Sequence, residues 1–165
     1  MLIKNILITG AKGFIGKNLS LGIDRNFPDI NIHHYTSDSN HAELEKMASK
    51  ADLIFHLAGV NRPKDAQDFY EVNTGLTEAL CKILMSSKKK TPIVFTSTTQ
   101  ALETNDYGKS KLNAESYLEE FSKINNSEVY IYRLNNIFGK WCKPNYNSVV
   151  ATFCHNISKG LDITI

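Results

Sequence analysis

Apolar residues recur along the chain in two rhythms that take turns. Short, nearly continuous apolar runs at residues 2–8, 52–59, 93–97 and 129–134 have the length and β-branched content of buried strands, and Asn31 to Tyr35 reads as a short second strand between the first two of them. Between them apolar positions return at helical spacing: Phe14, Ile15, Leu19 and Ile23; Leu44, Met47, Ala48 and Ala51; Val72, Leu76, Ala79, Leu80, Ile83 and Leu84. Leu112, Tyr117, Leu118 and Phe121 follow, and then Val149, Val150, Phe153 and Ile157. The pattern predicts helices near 14–23, 41–51, 69–87, 107–125 and 148–159, with a further strand beginning at 161–165. Strands and helices that alternate over short loops build a doubly wound parallel α/β sheet, with helices on both faces and right-handed crossovers. Ligands of such sheets bind just beyond the carboxyl ends of the strands.

The first of those ends carries the most distinctive stretch, I-T-G-A-K-G-F-I-G-K, with Gly10, Gly13 and Gly16 at G-x-x-G-x-x-G spacing. A strand that turns through glycines into a helix presents free peptide N–H groups and the positive end of the helix dipole to an anion. Gly10 suits the tight turn, Gly13 lets backbone approach a pyrophosphate, and Gly16 lets helix and strand pack closely. The sheet is therefore expected to be of the Rossmann type.

Composition narrows the alternatives. With 165 residues, 42% hydrophobic and 22% charged, the chain suits one domain, residues 1–165, with a sizeable core. A formal net charge of +2 argues against nucleic acid or an anionic membrane surface as partner. The basic run Lys88 to Lys90 reads as a solvated helix end. Cys81, Cys142 and Cys154 have no C-x-x-C or zinc-like spacing, so no metal is expected and reduced thiols in a cytoplasmic protein are. The sequence shows neither a leader nor an apolar run long enough to span a membrane.

Two further stretches carry chemistry. Tyr107-Gly-Lys-Ser-Lys111 puts a phenol and an ammonium four residues apart on one helix face. A cation beside a phenol favours the phenolate and moves it toward use as an acid/base. Thr96-Ser-Thr-Thr99 supplies hydroxyls at the end of the preceding strand. The glycine turn, H-L-A-G at 56–59, N-T-G-L-T from Asn73, the hydroxyl cluster, Y-G-K-S-K and R-L-N-N-I-F-G from Arg133 follow one another in an order that resembles the extended short-chain dehydrogenase/reductases, a family of nucleotide-sugar epimerases, dehydratases and reductases.

The resemblance implies Tyr107 as catalytic acid/base. It implies Lys111 as the residue that lowers the Tyr107 pKa and holds the nicotinamide ribose, and Thr98 as the catalytic hydroxyl, with Ser97 the competing assignment. For the cofactor it implies Gly10, Lys12, Gly13, Phe14, Ile15, Gly16, His34, Thr36, Ser37, Leu57, Ala58 and Gly59 together with Lys111. Asn136, in the R-x-x-N register, is implied as a contact of the sugar or diphosphate of a UDP-sugar, and the polar-aromatic segment of Trp141, Lys143, Asn145 and Asn147 reads equally as sugar or uracil contacts and as a structured loop packed on a substrate subdomain. Arg133 reads equally as an ion-pair partner, Asn73 as a structural or catalytic helix asparagine, His56 as part of a strand end, and Arg62 as a pyrophosphate contact or loop support.

Two departures shape the cofactor and substrate expectations. Only eight residues separate Thr98 from Tyr107, fewer than in most members of the family. The family's NAD-selecting aspartate after the second strand has no counterpart in His33-His-Tyr-Thr-Ser37, and Asp38 lies further along, so NADP is expected ahead of NAD. Within the family, A-G-V-N-R-P at 58–63 and F-G-K-W-C-K-P-N-Y-N-S-V-V-A-T-F-C at 138–154 resemble the reductase domains of bifunctional bacterial enzymes of capsular polysaccharide synthesis, which also carry a C-terminal cupin domain. That resemblance implies NADPH-dependent reduction of a 4-keto UDP-6-deoxy-N-acetylhexosamine by a homodimer. It also implies a truncated chain, lacking most of a substrate subdomain and the cupin. An epimerase or dehydratase that retains NAD is the alternative within the family, and Thr99-Gln100, where dehydratases carry acidic residues, argues against the dehydratase. A dinucleotide sensor without chemistry is the alternative outside it, opposed by the presence of both Tyr107 and Lys111.

Overall fold

The computed structural model describes residues 2–63, 65 and 67–164. Lys64, in the loop after the third strand, and Ile165, at the end of the expected last strand, lie outside the described residues. The chain divides into two compact units, residues 1–133 and 134–165.

The first unit is built on a parallel sheet of five strands in the order β2-β1-β3-β4-β5. They are β1 (Asn5–Thr9), β2 (Asn31–Tyr35), β3 (Leu53–His56), β4 (Ile93–Thr98) and β5 (Val129–Leu134), the last residue of β5 opening the second unit. Helices α1 (Phe14–Asn26), α2 (His41–Lys50), α3 (Leu76–Ser86) and α4 (Asp106–Asn125) connect them, and the sheet is of the doubly wound Rossmann type. The strand order reverses between β1 and β3, so a crevice opens where both strands end.

Alternation along β1 divides the core in two. Ile6 and Ile8 pack with Ala11, Ile23, Leu19 and Phe55 on the α1 face. Leu7 points the other way, into the larger cluster with Ile54 and Phe95 of β3 and β4 and with Leu44, Leu80, Leu84, Leu118 and Phe121 from α2, α3 and α4. Each such side chain, removed from water, contributes about 1.5–3 kcal/mol before the cost of ordering the chain.

Local chemistry starts and stops the helices. Asn40 and Glu43 form a reciprocal capping box on α2. Asn105 caps α4 by accepting the Gly108 N–H at 2.7 Å, and Asn126 ends that helix in the left-handed conformation that asparagine tolerates.

The structure departs from the apolar pattern in three places. Strand β1 begins at Asn5 rather than at residue 2, because its neighbours pair only from Asn5 and Ile6 onward, and Leu2 is left exposed. The helix expected at 69–87 opens as a π-helical segment, Phe69–Gly75, before α3. The strand expected at 161–165 is not formed over residues 161–164. Gly160 turns left-handed there (φ 64°) and the Leu161 N–H bonds back to the Asn156 carbonyl at 2.9 Å, so this stretch closes a helix instead.

That helix, α5 (Val149–Ser158), belongs to the second unit and is capped by Ser148, which accepts the Ala151 N–H at 3.2 Å. Among the described residues, no helix is long and apolar enough to cross a membrane.

Candidate active site

The glycine turn closes on itself and on β3. Gly10 has φ 69°, and its N–H bonds to the Tyr35 carbonyl at 2.9 Å. A Cβ at Gly10 would lie 2.8 Å from the backbone N and Cα of Ala58, and one at Gly16 would lie 2.5 Å from the Gly10 carbonyl oxygen. Gly13 stands at the N-cap of α1 with no side chain to cap it. The N–H groups opening α1, at Phe14, Ile15 and Gly16, thus face outward from a turn that nothing larger than glycine can build.

Of the residues expected around an adenine ribose, Lys12 meets Asp38 in an exposed ion pair, and Thr36 Oγ1 accepts the Asp38 N–H at 3.4 Å. Ser37 is exposed beside them. Although Asp38 lies further along the chain than the family's aspartate, the turn after β2 returns it to Lys12 of the glycine loop. The His34 ring is engaged elsewhere, with Ser20 Oγ of α1 at 3.1 Å.

A directed run of hydrogen bonds links this turn to α4. Thr77 Oγ1 donates to the Asn73 carbonyl (2.7 Å), so its oxygen accepts from Nε2–H of His56 (2.8 Å). Nδ1 of His56 then accepts from the Thr9 hydroxyl (2.7 Å), whose oxygen takes the Ala58 N–H (3.1 Å). The Asn73 side chain accepts the Val60 N–H (2.8 Å) and donates to the Val60 carbonyl and Ser110 Oγ (both 3.0 Å). Ser110 in turn donates to the Tyr107 carbonyl at 2.8 Å. His56 and Asn73 are thereby structural ties between the strand ends and the helix that carries Tyr107.

Burial, then the Lys111 charge, pushes the His56 pKa down to about 3. The unfolded chain takes up this proton below about pH 6.5 and the folded chain does not, so stability is full above that pH. It should fall as pH drops toward 3, by at most about 1.4 kcal/mol per pH unit. Urea midpoints from pH 7 to pH 4 measure the fall, and a His56 ring that titrates near pH 6.5 by NMR would contradict it.

At the carboxyl end of β4 the two candidate hydroxyls separate. Thr98 lies beside the Tyr107 phenol, whereas Ser97 donates to the Glu115 carboxylate. Burial raises the Tyr107 pKa above its usual value, and the neighbouring Thr98 hydroxyl works to lower it. The expected lowering by Lys111 is not among these effects. Lys111 Nζ sits 4.1 Å from the centre of the Phe95 ring, on the buried side of the helix. Lys111 is only 4% exposed, and burial brings its pKa down to about 7 while Glu115 works to raise it. Gly59 borders this corner: a Cβ there would lie 3.0 Å from Asn73 Oδ1 and 3.7 Å from Lys111 Nζ.

Glu115, one turn beyond Lys111, is 2% exposed and accepts Arg133 through Nε (3.0 Å) and Nη2 (2.6 Å). Arg133 is thus an ion-pair partner. The K-x-x-x-E spacing announces Glu115 in the sequence, but not that it faces inward; Thr9, Thr77 and Ser110 carried no signal beyond their polarity.

Asn136, Trp141, Lys143 and Asn147 all lie exposed in the second unit. There Trp141 and Asn145 adopt positive φ (67° and 52°), and Asn145 donates its N–H to Thr152 Oγ1 at 2.9 Å. Lys143 Nζ lies 5.3 Å from the Tyr146 ring centre. Among the described residues no three His, Cys, Asp or Glu side chains cluster as a metal site requires.

Comparison with known proteins gives this geometry a context. The profile of the NAD dependent epimerase/dehydratase family matches residues 6–165. A UDP-2-acetamido-2,6-beta-L-arabino-hexul-4-ose reductase from Pseudomonas aeruginosa is 44% identical over 160 residues, covering 97% of this chain and 43% of the relative. The capsular polysaccharide assembling protein CapF from Staphylococcus aureus superposes with TM-score 0.84 at 45% identity, over 98% of this chain and 43% of that one. The chain thus spans less than half the length of either. A UDP-glucuronic acid 4-epimerase from Bacillus cereus, solved in complex with NAD, shares the fold at TM-score 0.82 and 19% identity, over 98% of this chain and 66% of that one.

Proposed function

Since the chain belongs to the NAD dependent epimerase/dehydratase family, we propose that it is the cofactor-binding and catalytic part of a cytoplasmic, NADPH-dependent reductase. Its substrate is the C4 ketone of a UDP-linked 6-deoxy-N-acetylhexosamine, a precursor of capsular or other surface polysaccharide. The observation that carries this reading is the Tyr107 phenol beside Thr98 at the carboxyl end of β4, one helical turn from Lys111. The substrate class is supported by the likeness to the Pseudomonas reductase and to CapF.

The residues present fit a dinucleotide. The uncapped start of α1 receives its pyrophosphate on the N–H groups of residues 14–16, and Gly10, Gly13 and Gly16 leave it room. Leu57, Ala58 and Gly59 border it from β3, and Lys111 takes the nicotinamide ribose. The bound nicotinamide supplies the hydride. Tyr107 gives its phenolic proton to the ketone oxygen, Thr98 hydrogen-bonds that oxygen, and charge left on the phenolate is offset by the Lys111 ammonium. Asn136, Trp141, Lys143 and Asn147 supply sugar and uridine contacts. The partner protein is a second copy, through the outer faces of α3 and α4, with Leu112, Tyr117 and Ile124 exposed on α4.

Turnover of added NADPH by a 4-keto UDP-6-deoxy-N-acetylhexosamine in the full-length protein tests the reading. An epimerase would hold its cofactor without net oxidation, and a sensor would bind it without chemistry.

Cofactor choice has a second reading, favoured by one observation: Asp38 stands at the glycine turn, where it is able to accept ribose hydroxyls. On the NADPH reading Lys12 pairs with the 2′-phosphate, and Lys12→Ala weakens NADPH by about 5- to 30-fold, the worth of one charge-assisted contact of 1–2 kcal/mol, with little effect on NADH. Calorimetric titration with both cofactors decides, and tighter NADH that Asp38→Ala weakens would reverse the assignment.

A further inference from the structure

Tyr107, Lys111 and Glu115 follow one another at four-residue intervals along α4 and share a face, with Lys111 and Glu115 both in the interior. The Lys111 ammonium rests on the Phe95 ring, a contact that supplies no counter-charge. The groups facing it from the surrounding elements are few. On β4 stand Phe95, Ser97 and Thr98, none of them ionised. His56 at the end of β3 is held neutral by its two hydrogen bonds and its burial. From the π-helical segment comes Asn73, and from α4 itself the phenol of Tyr107 and the carboxylate of Glu115. On β5 stands Arg133, which reaches this group only through Glu115. Among these residues Glu115 is the one anion.

That anion is held still. Arg133 grips its two oxygens in the forked geometry that guanidinium and carboxylate share, and the Ser97 hydroxyl occupies Oε1. Burial works to raise the Glu115 pKa, but the bonds from Arg133 and Ser97 and the charges of Arg133 and Lys111 keep the carboxylate ionised. Three of its neighbours come from three different strands or helices, so its position relative to Lys111 is set by the fold rather than by its own rotamer.

We propose that Glu115, clamped by Arg133 and Ser97, is a positioning residue that keeps Lys111 charged beside Tyr107 and so sets the pH range over which the site works. Glu115 acts through the field it places on Lys111, in an interior where that field is little screened. Ser97 has a second effect in the same clamp: by fixing the end of β4 it fixes the neighbouring Thr98 against Tyr107. The inference rests on the reading of Lys111 as partner of Tyr107, but its test does not require turnover.

The test is a titration of the Lys111 Cε resonance in the full chain carrying 13C-labelled lysine, the signal being assigned by its loss in Lys111→Arg. Glu115→Gln should move the Lys111 midpoint down by about one pH unit or more, the usual effect of an opposite charge a few ångströms away. Arg133→Gln should move it down as well, because the carboxylate then loses the grip that holds it in place and ionised. Loosened packing would instead hydrate Lys111 and move its midpoint up. A Glu115→Gln midpoint equal to or above that of the parent chain overturns the proposal, as does an upward shift in Arg133→Gln. Should Glu115→Gln not fold, the half-exposed Arg133 position decides alone. An absence of NADPH oxidation alongside these shifts would count against the reductase reading and leave the role of Glu115 standing.

Discussion

Tyr107→Phe is expected to lower kcat for ketone reduction by about 10²- to 10⁴-fold, the usual contribution of a positioned general acid, while the affinity for NADPH is unchanged. The substitution removes the phenolic proton beside the Thr98 hydroxyl and leaves the ring. That ring packs at 5.9 Å, centre to centre, against Phe69, so α4 keeps its seat. The glycine turn proposed to hold the cofactor lies between β1 and α1, on other elements than the lost atom, which is why binding and rate should separate. Pre-steady-state NADPH oxidation, with cofactor affinity measured independently, reads both quantities. Undiminished kcat would remove Tyr107 from the chemistry, and a parallel loss of cofactor affinity would make its role structural.

Gly108→Ala should be the most damaging single methyl that can be added near the site. Its Cβ would fall 2.0 Å from the Gln100 carbonyl oxygen and 3.3 Å from that of Glu103. Neither oxygen yields easily, since both belong to backbone of the short connection from β4 to α4. The Gln100 carbonyl takes the Glu103 N–H at 2.9 Å, and the Gln100 N–H is bound to Thr98 Oγ1 at 3.2 Å. Overpacking of this kind costs about 1–3 kcal/mol and sometimes more. Relief requires α4 to back away from the loop, drawing Tyr107 off Thr98. A lower urea midpoint is expected, together with reduced kcat in the molecules that remain folded. An unchanged midpoint would mean that the connection is far softer than its hydrogen bonds imply.

Much of this arrangement was legible before any coordinates because the fold is governed by periodicity. Strand β1 alternates Ile6, Leu7 and Ile8 between two faces, and α3 returns apolar residues every third or fourth position, so element type and sheet class follow from hydrophobic burial alone. The candidate acid/base pair was legible for the same reason: four residues on a helix is one turn, wherever that helix lies. What stayed hidden depends on where the chain returns after a turn. Thr98 and Ser97 are equivalent hydroxyls in sequence; only the seating of α4 gives one to Tyr107 and the other to Glu115. Asp38 looked remote from the glycine loop until the bend at 36–39 brought it onto Lys12. That Lys111 follows Tyr107 by one turn is legible in the spacing, but the seat of its ammonium over Phe95 is set by packing and invisible to it.

The π-helical segment at Phe69–Gly75 has a consequence for how this chain tolerates change in length. A π turn spans five residues per hydrogen bond where an α turn spans four, so the segment holds the equivalent of an inserted residue. Deleting one residue from it would restore a regular helix, an event that local energetics would favour. Everything on one side of the deletion would then rotate by about 100° relative to the other. Asn73 would swing off Val60 and Ser110, while α3 could keep its apolar face on the core. The irregular turn thus acts as a frame-keeper: the helix survives a shift of frame, and the tie between the strand ends and the catalytic helix does not.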